Sequence, residues 1–280
     1  MNDLKKAIIV PVYKKKFDYT INFINSLDRK DHVFFIFTNK FEHLFFKHMH
    51  GFNCNYFILE DYFDCDQIEL LNKNYLLPAF KKLFFVSQII HQYDYVICLD
   101  DDFLIINENL LIDACNSFSN NKSFLGGKIQ FETSKIINQT SISVLSKHKN
   151  YEKLIKSEQL DIFYWLSEIP IYERVSTLHF LKFIEITDNF FNFFCNLDFH
   201  FFDTIAYNYF CVLEYDYKIQ KIDWMFSLED CPLNVWENIN SSVKKLYSIN
   251  HNIYNNQDVA LLIHTDRNHG QSYKHAEKIK

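Results

Sequence analysis

The first hundred residues alternate between unbroken apolar runs and segments with helical spacing. Residues 7–13 form a continuous apolar run, the pattern of a strand buried on both faces. Residues 17–28 place Phe17, Ile21, Ile24 and Leu27 at helical intervals. A second buried strand is expected over 32–38, a short helix over 41–50 that stops near Gly51, and a third strand over 55–59. A longer helix is expected over roughly 74–92, with Leu77, Phe80, Phe84 and Ile90 on one stripe and Pro78 in its first turns. The fourth strand spans 93–100, and a helix follows over about 108–118. Strand and helix in alternation at these lengths predict a mainly parallel sheet covered on both faces.

Beyond the strand-like residues 128–131 the pattern changes. Residues 150–186 read as largely helical, and residues 180–217 carry 14 aromatics. This aromatic-rich, helical region is expected to pack on the sheet as an elaboration over about 130–230. No linker or internal repeat divides the chain, so it reads as one continuous unit. Residues 1–135 form its α/β half, and residues 136–280 form its second half and a returning C-terminal segment.

Composition narrows the class. With 48% hydrophobic residues the chain buries a sizeable core, and 4 Gly and 4 Pro leave little for disordered linkers. The wealth of Phe, Asn, Lys and Ile has the look of AT-rich coding, so a single Phe carries little functional weight. A net charge of −6 and the lack of a Lys/Arg block argue against a nucleic-acid partner. Seven scattered cysteines without a CxxC pair read as free thiols, not as a zinc site or a disulfide scaffold. No apolar run is long enough for a signal core or a membrane span, which leads to the expectation of a soluble cytoplasmic protein. Lysines 5, 6 and 14–16 leave room for peripheral contact with a membrane.

The chemistry concentrates at Asp100, Asp101 and Asp102, where the fourth strand ends. Three adjacent carboxylates repel one another and are costly to bury without a positive partner. A hard divalent cation carrying phosphate oxygens is one such partner. Strand C-termini are also where open α/β sheets hold their ligands. The competing reading is an acidic loop that caps the next helix.

The apolar first strand ending in Pro11, Val12 and Tyr13, the alternating units, and the strand running into Leu99-Asp-Asp-Asp-Phe103 together resemble GT-A nucleotide-sugar glycosyltransferases. The resemblance covers about residues 5–135. It implies a GT-A-like (Rossmann-like) α/β fold and a nucleoside diphosphate sugar as donor, with UDP the expected nucleotide. It also implies Mn²⁺ or Mg²⁺ as Lewis acid on the leaving diphosphate. On that resemblance Asp102 ligates the metal, Asp100 ligates it or reaches the ribose, and Asp101 shapes the loop or meets the donor sugar. A C-terminal histidine often completes such a metal site, and His264, at the end of an apolar run, is preferred over His269. Arg267 is a candidate phosphate contact.

Other assignments stay open between two readings. Pro11, Val12 and Tyr13 stand where the base is usually met, and Tyr13 is either a stacking ring or a core aromatic. Thr38 and Asn39 meet base or ribose, or cap the 41–50 helix. Lys81 and Lys82 read mainly as a solvated helix face, with the approach of one of them to the diphosphate as the other reading. An inverting transferase needs a carboxylate base. Asp198 and Asp203 are the favoured candidates for base or acceptor contact, with Asp188 and the pair Glu229-Asp230 behind them. A retaining enzyme needs no such base, and the sequence leaves the two outcomes undecided.

The sequence thus points to a transferase acting on a glycan or glycolipid acceptor of a bacterial lipooligosaccharide, capsule or related surface polysaccharide. Two alternatives stand beside it: a sugar-nucleotide nucleotidyltransferase, which lacks its usual Gly-rich loop here, and a non-catalytic carbohydrate-binding or scaffold protein.

Overall fold

In the computed structural model, the residues described are 5–12, 20–21, 23–24, 32–50, 54–100, 103–105, 115, 118–128, 132–156, 162–163, 170–186, 189–198, 200–222 and 262–264. The first strands are β1 (Lys6–Pro11), β2 (Val33–Phe37), β3 (Asn55–Ile58) and β4 (Tyr95–Cys98). All of β1 except Lys6 is buried, as is all of β4, which is why both read as unbroken apolar runs. Later strands are β5 (Phe103–Ile105), β6 (Ser123–Lys128), β7 (Ile162–Phe163), β8 (Ile171–Glu173), β9 (Lys218–Ile222) and β10 (Leu262–His264).

The main sheet has the order β3-β2-β1-β4-β8. Strands β3, β2, β1 and β4 run parallel, and β8 closes the edge antiparallel to β4. The expected α/β architecture, a mainly parallel sheet flanked by helices, is therefore present. Two small sheets accompany it: β7-β6-β9, and an antiparallel pair β10-β5.

Strand order reverses beside β1. The chain moves from β1 outward to β2 and β3, then returns to lay β4 on the other side of β1. Such a reversal splays the connections to opposite sides and opens a crevice at the strand C-termini. Here those termini are Pro11 and Val12 of β1, and Leu99 and Asp100 after β4.

The helix Leu77–Ile89 packs under β1 and β4 and is apolar on nearly every side, so it is buried nearly all round. Phe80 stacks on Phe84 and meets Phe63, Phe190 and Phe194 edge-on. Through Phe80, the helix Phe190–Cys195 of the aromatic-rich region is fastened to the first-half core. The helix Asp203–Tyr215 packs against the same Leu77–Ile89 helix.

Several sequence expectations need correction. The helix expected over 74–92 spans Leu77–Ile89. A separate helix, Cys65–Lys73, precedes it and starts with a reciprocal capping box between Asp64 and Gln67. Of the strand expected at 128–131, Lys128 ends β6, in which Gly126 and Gly127 are paired to β9 and Gly127 also to β7, and residues 129–131 lie outside the described residues. The described residues of the region 150–186 hold the helices Tyr151–Ile155 and Arg174–Phe183, with the strands β7 and β8 between them where helix was expected; 157–161 and 164–169 lie outside the described residues. Ile171 and Tyr172 are buried, and a sheet-edge partner turns this three-residue segment into a strand. Of the helix expected over 108–118, residues 115 and 118 are helical, and 108–114, 116 and 117 lie outside the described residues.

Among the described residues, no helix is long and apolar enough to cross a membrane. Six cysteines, 54, 65, 98, 115, 195 and 211, are free thiols, as the spacing implied. Burial pushes the Cys115 thiol up to about 12 and Cys98 well above its ordinary value, so both are inert in the folded protein.

Candidate active site at the strand C-termini

The crevice beside β1 and β4 is furnished by two lysines on consecutive positions of one helix. Lys81 is fully buried. Its ammonium donates to the Thr38 Oγ1 at 2.7 Å and to the Val12 carbonyl at 3.3 Å. It thereby ties the C-terminal ends of β1 and β2 together. Lys82 turns toward β4, where its Nζ stands 2.6 Å from Asp100 Oδ1, with only 15% of the lysine side chain exposed. The solvated helix face expected for both lysines is therefore corrected. A helix apolar on nearly all sides has no such face to offer, and both ammonium groups are turned to the strand ends.

Asp203 is a further charged group that acts on Lys82 through space. It opens the helix Asp203–Tyr215 and is 3% exposed. Tyr172 of β8 donates its hydroxyl to Asp203 Oδ2 at 2.5 Å, and Thr204 Oγ1 lies 3.3 Å from the same hydroxyl. Burial raises the Asp203 carboxyl above the ordinary range, while the Lys82 charge and the Tyr172 hydroxyl pull it back. Burial alone would lower Lys82, yet Asp100 and then Asp203 more than offset that, so its ammonium stays charged. Burial, with Asp203 adding to it, holds the Tyr172 phenol well above its usual value.

Asp198 sits elsewhere in character. It is exposed, and its Oδ1 accepts from the His200 backbone N–H at 3.0 Å and lies 2.6 Å from His200 Nδ1. The backbone hydrogen bond, with the ring behind it, holds the Asp198 carboxyl below its usual range, which weakens it as a base.

At the end of β2, Asn39 Oδ1 accepts from the Glu42 N–H at 2.8 Å, and Glu42 Oε2 accepts from the Thr38 N–H at 3.0 Å. Asn39 thus caps the helix Lys40–His50. Beyond it lies a cavity of about 660 Å³, walled by Thr38, Asn39, Glu42, Glu60, Cys65 and Leu77 among others. That volume is within the range of small-molecule sites. Thr38 joins the cavity to the Lys81 bridge. Pro11 and Val12 are buried, and the Val12 carbonyl is the one that Lys81 engages.

The C-terminal strand returns to the acidic strand end. Strand β10 pairs antiparallel with β5 in a register that sets Ile263 opposite Leu104 and His264 opposite Phe103. His264 is thereby brought by backbone pairing to the position next after the acidic triplet. Tyr13, Asp101, Asp102, Asp188, Glu229, Asp230, Arg267 and His269 lie outside the described residues. Among the described residues, no group of three or more His, Cys, Asp or Glu side chains is arranged to hold a metal ion.

The sequence reading set Lys81 and Lys82 mainly on a solvated face and passed over Tyr172. The signal for the lysines was present: two cations inside a helix otherwise apolar all round must be buried and partnered. Replacing Lys81 by methionine keeps the stem but leaves the Thr38 hydroxyl and the Val12 carbonyl without their donor. A loss of about 1–3 kcal/mol in unfolding free energy is expected by denaturant titration. A neutral result would mean that water replaces the ammonium.

No family model matches this chain, and no curated protein matches it. Similar solved structures are glycosyltransferases. One is the WbbM bifunctional glycosyltransferase, 13% identical over 79% of this chain and 39% of that one, with a TM-score of 0.41. Another is the mannosyltransferase Ktr4p from S. cerevisiae, 12% identical over 79% of this chain and 69% of that one, TM-score 0.42. A third is mouse xyloside xylosyltransferase 1, 12% identical over 95% of this chain and 99% of that one, TM-score 0.42. The chain spans about two fifths of the WbbM chain.

Proposed function

We propose that this protein is a glycosyltransferase that moves a sugar from a nucleoside diphosphate donor to a glycan or glycolipid acceptor. The observation that carries the reading is the position of Asp100. It stands at the C-terminal end of β4, beside the reversal of strand order, with the Lys82 ammonium on its carboxylate. A ligand crevice opens at that point of an open α/β sheet. The cavity at the ends of β2 and β3 has the volume for a nucleoside, and Glu42 and Glu60 in its wall can accept from ribose hydroxyls. The diphosphate then lies between this cavity and the acidic strand end.

The donor set suits a divalent cation. By sequence, Asp101 and Asp102 would supply carboxylate oxygens, and the β5–β10 register brings the His264 backbone to the position next after them. In this reading Asp102 and His264 hold Mn²⁺ or Mg²⁺ directly, and Asp100 is shared with Lys82. When bound, the cation neutralises charge on the departing diphosphate. The bond from the sugar anomeric carbon to the diphosphate oxygen breaks. A bond to the acceptor hydroxyl forms, and that hydroxyl loses its proton to a base or to the departing phosphate. Of the two favoured carboxylates, Asp203 has the raised proton affinity that a base needs, whereas Asp198 has it lowered.

The donor nucleotide is taken to be UDP, and the acceptor a lipooligosaccharide, capsule or related surface glycan met at the inner face of a bacterial cytoplasmic membrane. The decisive experiment is calorimetric titration of UDP with Mn²⁺ present and again after EDTA. Binding that needs the metal is the expected outcome. Metal-independent binding would remove the metal from the mechanism. Failure of UDP, GDP and CMP alike would leave a carbohydrate-binding module as the better reading.

A further inference from the structure

The helix Lys40–His50 has two apolar faces, one against the sheet and one exposed. On the inner face His43 and Phe46 are buried against Phe37 of β2. On the outer face Phe41 and Leu44 are 63% and 61% exposed, and Phe45 is exposed with them. These three fall at i, i+3 and i+4, so they form one stripe, and the Phe41 and Phe45 rings stack at 6.3 Å. The patch reaches β3, the edge strand of the main sheet, where the exposed Tyr56 ring stacks on His43 at 3.8 Å. At about 200 Å² for a large side chain, these four residues expose on the order of 400 Å², the size of a functional patch on a monomer.

Charge is divided unequally along the same helix. Its first turn is acidic. Glu42 lies in it, Glu60 accepts the Lys40 N–H at 3.0 Å, and Asp61 pairs with the Lys40 ammonium at 3.0 Å. Farther along, the exposed Lys47 adds positive charge, with His48 exposed beside it. An anionic bilayer would be repelled by the acidic end. A second copy of the helix, laid antiparallel on the first, sets its basic end on the acidic end of its mate and its stripe on the other stripe.

We infer that the outer face of the helix Lys40–His50, with the β3 edge at its rim, is the interface of a two-fold symmetric homodimer. An axis near Leu44 and Phe45 puts these residues beside their own counterparts, buries both stripes, and brings each Lys47 toward the acidic first turn of the other copy. The patch is small beside the roughly 800 Å² per partner of a standard interface, so the pairing is reversible and weak. Phe41 is also a wall residue of the cavity at the ends of β2 and β3, so the second copy covers one side of the cavity rim. The dimer goes beyond the donor-site reading and does not depend on it.

The test is sedimentation equilibrium of the full chain over a range of concentrations, beside three variants. The wild type is expected to show a monomer–dimer equilibrium with Kd on the order of 10 μM. Leu44→Glu sets two like charges at the axis and removes apolar contact, and is expected to raise Kd at least about tenfold. Because Leu44 is exposed, the circular dichroism and urea midpoint of this variant stay those of the wild type. Lys47→Glu is expected to raise Kd about three- to fivefold at low salt and less at about 0.5 M NaCl, where rim charges are screened. Val175→Glu, at a site 62% exposed on the helix Arg174–Phe183, leaves the pairing unchanged. A wild type that stays monomeric at every concentration overturns the inference, as does a dimer that Leu44→Glu leaves intact. Binding of a monomer to phosphatidylglycerol-containing vesicles, lost in Leu44→Glu, gives the patch to a bilayer and overturns it too. UDP titration of the same samples keeps the two readings apart. A monomeric wild type that binds UDP loses only the dimer, and a dimeric wild type that does not bind it loses only the donor site.

Discussion

Replacing Asp102 by alanine is expected to abolish metal-dependent binding of UDP and, with it, sugar transfer. Asp102 closes the acidic triplet, and Phe103, the residue after it, pairs with His264 across the β5–β10 register. In the proposed site the Asp102 and His264 side chains would hold the cation, so the loss of Asp102 removes a direct ligand. Even partners outside the coordination shell cost about 10–100-fold when mutated, so a direct ligand is expected to cost at least about 100-fold in metal-dependent UDP affinity. Turnover should fall further, because the charge that develops on the leaving diphosphate then lacks its counter-charge. Calorimetry of UDP with Mn²⁺ reads the first effect, and product formation from radiolabelled UDP-sugars reads the second. Retention of metal-dependent binding by Asp102→Ala would shift the cation to Asp100 and Asp101. His264→Ala is the companion variant, and a similar fall in Mn²⁺ affinity is expected for it.

The largest effect on stability is expected at Phe80. Its ring is fully buried between the sheet and the aromatic-rich region, and it contacts four other phenylalanine rings. Phe80→Ala removes the buried area and leaves a cavity, at a cost of about 3–5 kcal/mol. That is a large fraction of the stability of an ordinary domain. Urea unfolding followed by circular dichroism should show the loss as a lower midpoint. Because Phe190 and Phe194 lie against Phe80, limited proteolysis should cut the Phe190–Cys195 helix sooner in the variant than in the wild type. A change below about 1 kcal/mol would mean that the surrounding rings collapse into the space.

Much of the first half was legible because its code is local. A parallel strand covered on both faces must be apolar at every position, and β1, β2 and β4 announce themselves that way. The helix Lys40–His50 could be placed from the apolar spacing and from Gly51 after it. Asn39 illustrates a choice that local chemistry offered and the structure made: its side chain caps this helix. Strand β8 was not legible, because three residues are too few to show a period, and Ile171-Tyr-Glu173 is extended only where β4 offers an edge. The acidic triplet stood out by composition alone, and Asp203 was named only as a candidate base or acceptor contact. That Lys82 meets Asp100 and that Tyr172 holds Asp203 took the fold to show.

The sequence by itself determined which segments are strands buried on both faces, that they alternate with helices, and that a dense acidic charge follows the fourth strand. Those properties follow from burial and repulsion acting on neighbours along the chain. Only the tertiary structure decided the strand order β3-β2-β1-β4-β8, the return of β10 to β5, and the pairing of Lys82 with Asp100 and of Tyr172 with Asp203. Contacts between distant segments depend on how the sheet is wound and on which helix covers which strands. No local periodicity encodes that choice, and the competition among alternative packings of the whole chain settles it.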